Sequence, residues 1–78
     1  MKQTAKKVQA SDRVATAIDV LRTIQGKSPE RCANAMGVSV STFYRKLHKP
    51  ATFTMADLES LARLFNTTVA RMAEGVTL

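Results

Sequence analysis

Residues 28–47, SPERCANAMGVSVSTFYRKL, read as two short helices joined by a tight turn. Ser28 offers a hydroxyl to an orphan backbone N–H at a helix start. Pro29 fits the first helical position, where its missing N–H costs nothing. Across PERCANAM, the residues Cys32, Ala33 and Met36 recur at helical spacing and form the buried side. Gly37 stands where the chain needs a left-handed backbone, which glycine adopts without Cβ strain. Val38 plugs the turn, and Ser39 caps a second helix, VSTFYRKL. That helix carries Val40, Phe43 and Leu47 on one side and Ser41, Tyr44, Arg45 and, at the edge, Lys46 on the other.

The spacing has a steric logic. Two short helices that cross steeply must approach closely, and a small residue at Ala33 permits it. Val38 and Phe43 fill the angle between them. The second helix is left with a protruding polar face, the geometry of a helix-turn-helix whose second helix enters a DNA major groove.

Before this stretch, residues 13–25 (RVATAIDVLRTIQ) read as a first helix started at Ser11 or Asp12, with Val14, Ile18, Leu21 and Ile24 facing inward and Gly26 ending it. After the second short helix, Pro50 stops further helix, and residues 48–53 form an exit loop. Thr54 and Asp57 have the spacing of a capping box. They open a fourth helix with an apolar stripe of Met55, Leu58, Leu61, Ala62 and Phe65, ended by Asn66. Thr67 or Thr68 starts a short fifth helix containing Val69, Met72 and Ala73, closed by Gly75. The expected architecture is all-α: a compact five-helix domain over residues 11–78, preceded by a flexible basic arm at residues 1–10.

Ala33, Met36-Gly37-Val38-Ser39, Ser41-Thr42-Phe43 and Arg45, followed by two closing helices, resemble the helix-turn-helix of the Cro/C1-type (lambda-repressor-like) DNA-binding domains of phage and bacterial regulators. The resemblance spans roughly residues 11 to 74. It implies a small transcriptional repressor that binds a palindromic operator as a homodimer in the bacterial cytoplasm, at the nucleoid. One position departs from the family pattern. An apolar residue is usual three positions after the one matching Phe43; here that position holds Lys46, and Leu47 takes over the packing.

Composition points the same way. The 78 residues suffice for one domain, and the formal net charge is +6. Residues 1–49 hold ten Lys and Arg against three acids, giving +7, whereas residues 50–78 hold two against three, giving −1. The basic half is the half with the helix-turn-helix, which suits a polyanionic partner. No apolar run approaches the roughly 20 residues of a membrane span, and no secretory leader pattern is present. The single Cys32 excludes an intrachain disulfide and suits a reducing cytoplasm. His48 is the only histidine, without the companions that metal binding or catalysis needs. No enzyme activity, cofactor, metal or small-molecule ligand is expected.

The residues assigned to DNA follow from this frame. Arg45 can make two parallel bonds to the O6 and N7 of guanine. Val40, Ser41 and Tyr44 join it as base-reading candidates. Lys27, Ser28, Arg31, Ser39, Thr42, Lys46 and Lys49 are assigned to phosphates, Ser28 and Arg31 at the partly positive start of the first motif helix. Lys2, Lys6 and Lys7 in the arm either track phosphates or form a solvated tail. Val69, Met72, Val76 and Leu78 are assigned to a homodimer contact, with completion of the monomer core as the alternative for Val69 and Met72. Two other functions use the same scaffold. One is a DNA-bending excisionase or architectural protein, and the other is an antitoxin or anti-repressor module that binds protein.

Overall fold

A computed structural model describes residues 10–75, and within them the chain is all-helical. The helices are α1 (Ala10–Gln25), α2 (Pro29–Met36), α3 (Val40–His48), α4 (Met55–Phe65) and α5 (Val69–Ala73), with a 3-10 turn at Pro50–Thr52 between α3 and α4. The basic arm with Lys2, Lys6 and Lys7, and the tail with Val76 and Leu78, lie outside the described residues. No helix of the described residues is long and apolar enough to cross a membrane.

Each short helix is bounded by its own sequence. The Ser28 hydroxyl accepts from the N–H of Arg31 at 3.1 Å, starting α2 with Pro29 in its first turn. Ser39, Thr54 and Thr68 do the same for α3, α4 and α5. Helices α2 and α4 end on left-handed residues, Gly37 at φ 73° and Asn66 at φ 60°. In both cases the following N–H reaches back five residues, from Val38 to the Ala33 carbonyl at 3.0 Å and from Thr67 to that of Ala62 at 2.9 Å. Gly37→Ala tests the turn in isolation. A Cβ at Gly37 meets nothing within 4 Å, so only the backbone conformation resists it. The expected loss is about 1–2 kcal/mol, read from the urea midpoint, with Gly37→Asn recovering most of it. An unchanged midpoint for Gly37→Ala would show that the turn is not held left-handed.

The core draws on all five helices: Val14, Ala17, Ile18 and Leu21 of α1, Cys32 and Ala33 of α2, Phe43 of α3, Leu61, Ala62 and Phe65 of α4, and Met72 of α5. Helix α4 packs on α2, α1 packs on α5, and α3 leans on α2 and the 3-10 turn. Val38, Val40, Leu47, Leu58 and Val69 lie half-buried against this centre. Burial pushes the Cys32 thiol up from its ordinary range, against the pull of nearby Arg22 and Arg31. The thiol therefore stays protonated and serves as packing.

Three expectations are corrected. Ile24 is 62% exposed rather than inward. Gln25, four residues after Leu21, is also exposed, but its side-chain amide donates to the Phe65 carbonyl at 2.9 Å and ties the end of α1 to the end of α4. Met55 is 61% exposed, because it occupies the first position of α4, at the open end of the stripe. Met72 is fully buried within one chain and so leaves the set assigned to a dimer contact. Val69 packs against the same core, half-buried. In addition, α1 already runs at Ala10, and Asp12 lies in its first turn, where a carboxylate favours the helix dipole.

Candidate nucleic-acid interface

Phe43 fixes which way α3 faces. It is wholly buried, and with half-buried Val40 and Leu47 it turns one side of the helix to the core. Ser41, Tyr44 and Arg45, at i, i+3 and i+4, are therefore exposed together on the other side. Tyr44 is 43% exposed, and its ring tilts against that of Phe43, with centroids 5.8 Å apart. His48 and Lys49 extend the exposed strip past the end of the helix.

A chain of hydroxyls runs along the flank of α3. The Ser39 hydroxyl accepts from the Thr42 N–H at 3.2 Å and donates to Thr42 Oγ1 at 3.1 Å. Arg45 Nη2 donates to the same Thr42 Oγ1 at 3.2 Å. These bonds draw the guanidinium back toward the helix start, the direction side chains favour on a helix. They also occupy Ser39 and Thr42 internally, so a phosphate has to compete with a cap that is already made. Val40 packs against the core, which limits its reach toward a base edge. Around the face, Arg31 and Lys49 are exposed, and Lys27 and Ser28 are half-buried near the start of α2.

Lys46 is the exception among the phosphate candidates. Its ammonium donates to Asp57 Oδ2 at 2.7 Å and to the Thr52 carbonyl at 3.1 Å. The Lys46 and Asp57 side chains are only 18% and 13% exposed. The residue is thus withdrawn from the phosphate set, because its charge is neutralised inside the domain. Asp57 Oδ2 also accepts from the Thr54 N–H at 3.0 Å, while Thr54 Oγ1 accepts from the Asp57 N–H at 3.0 Å, completing the capping box. Burial raises the Asp57 pKa, but hydrogen bonds from Lys46 and Thr54 outweigh it and hold the carboxyl below its ordinary value. Sequence spacing gives no sign of this pair; the one available signal is a lysine where an apolar residue is usual.

The interface candidates thus resolve into an exposed trio on α3, cations around it and one internal ion pair. A match to the BetR domain runs over residues 5–77. No curated protein and no solved structure matches the chain. Since that match takes in nearly the whole sequence, the chain belongs to the BetR domain family.

Proposed function

We propose that this chain binds double-stranded DNA selectively through the outer face of α3 and acts as a small transcriptional regulator of the Cro/C1 type. The observation that carries this reading is the exposed trio Ser41, Tyr44 and Arg45 on a helix whose opposite side is locked by Phe43. Arg45 reads guanine, Tyr44 and Ser41 adjoin it, and Arg31, Lys27 and Lys49 contact the flanking phosphates. One module this small gives limited specificity, so two copies on half-sites about 34 Å apart, one helical turn, are proposed for the operator complex.

Selection of duplexes from a random pool tests the reading directly. The expected product is a short palindromic motif with a guanine at a fixed place in each half. Lys49→Ala separates backbone contact from base reading. It is expected to weaken all duplexes alike and to reduce the slope of log K against log salt by about one. If the folded protein enriches no duplex at about 150 mM salt, a concentration at which specific complexes persist, the DNA reading is rejected and protein recognition takes its place.

A further inference from the structure

Lys46 lies beside Arg45 on α3 but points back into the domain. The N-terminal part of α3 is anchored by buried Phe43 and half-buried Val40. Its C-terminal part has half-buried Leu47 and the Lys46 contacts to Thr52 and Asp57. Because α3 leans on α2 and the 3-10 turn, the Lys46–Asp57 bond is a side-chain tie across to the first turn of α4. That turn is itself locked by the reciprocal Thr54–Asp57 bonds, so the tie ends on a fixed point.

We infer that Lys46 is a positioning residue: through Asp57 it sets the angle at which α3 presents Tyr44 and Arg45. This inference rests on the DNA-binding reading for its functional consequence, not for its geometry. Recognition sites require placement within about 0.5 Å and 10–20°; Phe43, Val40 and Leu47 seat α3 by non-directional apolar packing, and the Lys46 tie adds a directional contact near its C-terminal end. The single oxygen Asp57 Oδ2 serves both the α4 cap and the tie, so a change at Asp57 touches both, whereas a change at Lys46 touches the tie alone.

The test uses the full chain as Lys46→Met, Asp57→Asn, the double variant and Lys46→Gln. In the free protein, residual dipolar couplings report the direction of α3 relative to α2 and α4. Both single variants are expected to change the α3 couplings while those of α1 and α2 stay fixed. On the duplex selected by the unaltered protein, each single variant is expected to lose about tenfold of the preference over a scrambled duplex, the worth of one misaligned two-bond contact. The salt slope stays unchanged, and the double variant loses no more than either single one. Lys46→Gln, which can still donate to Asp57, retains part of the preference and serves as the decisive variant if Lys46→Met fails to fold.

A phosphate contact makes the opposite prediction. There, Lys46→Met and Lys46→Gln both reduce the salt slope by about 0.9, and Asp57→Asn tightens binding by removing a negative charge. That pattern, or unaltered α3 couplings in both single variants, overturns the inference. If the unaltered protein binds no duplex, the DNA reading fails separately, and the couplings alone decide whether Lys46 holds α3.

Discussion

Phe43→Ala is expected to cost about 3–5 kcal/mol, the range for removing a fully buried aromatic ring and leaving a cavity. Phe43 has no exposed surface and lies in the one continuous core, with α2 close beside it. A domain of this size has only about 4–12 kcal/mol of stability in all. At the low end of that range the variant is partly unfolded at room temperature. Its melting midpoint should fall by about 12–40 °C, taking 4–8 °C per kcal/mol for so short a chain. Urea titration followed by circular dichroism gives the number. Phe43→Leu, which keeps most of the volume, should retain most of the stability. A loss below about 1 kcal/mol for Phe43→Ala, the level of an ordinary surface change, would mean that α3 is not seated through this ring.

Arg45→Ala has the second large effect, on binding rather than on folding. Arg45 is exposed and its side-chain bond to Thr42 Oγ1 is at the surface, so stability should move by no more than about 0.5 kcal/mol. Affinity for the selected duplex should fall by about 1–3 kcal/mol, and preference at one base position should flatten. Arg45→Lys sharpens the test. It keeps the charge but loses the planar fork, so discrimination should fall while the salt slope is kept. If the ranking of duplex variants is the same with Arg, Lys and Ala at this position, Arg45 does not read a base.

The helices were legible in the sequence because their boundaries are local. Ser28, Gly37, Ser39, Thr54 and Asn66 each act within one turn of the chain, and all five act in the structure as the spacing predicts. Burial was legible where a stripe is broad, as at Leu58, Leu61, Ala62 and Phe65, and failed at its margins. Ile24 and Met55 are apolar residues at helix ends, where periodicity says little about what covers them. Lys46 was illegible for a different reason. Its partners, Thr52 at the end of the 3-10 turn and Asp57 beyond it, come within reach only because the chain reverses there, and that reversal is a tertiary fact. The exposed trio on α3 followed from the pattern alone, because Phe43 faces inward and helical geometry places Ser41, Tyr44 and Arg45 opposite it.

Four of the five described helices open on a serine or threonine hydroxyl that takes up an amide three residues ahead. Helices of 8, 9, 11 and 5 residues are too short to persist alone. The hydroxyls reduce the expense of their first turn before any docking occurs. Nucleation is thereby distributed along the chain, and the docking search begins from turns already half formed. Helical proteins rich in such neighbouring interactions reach the native state in microseconds to milliseconds, about the fastest regime known for two-state folders. The greasy side of α4 thus spends little time uncovered, which spares a nascent copy from sticking to its siblings.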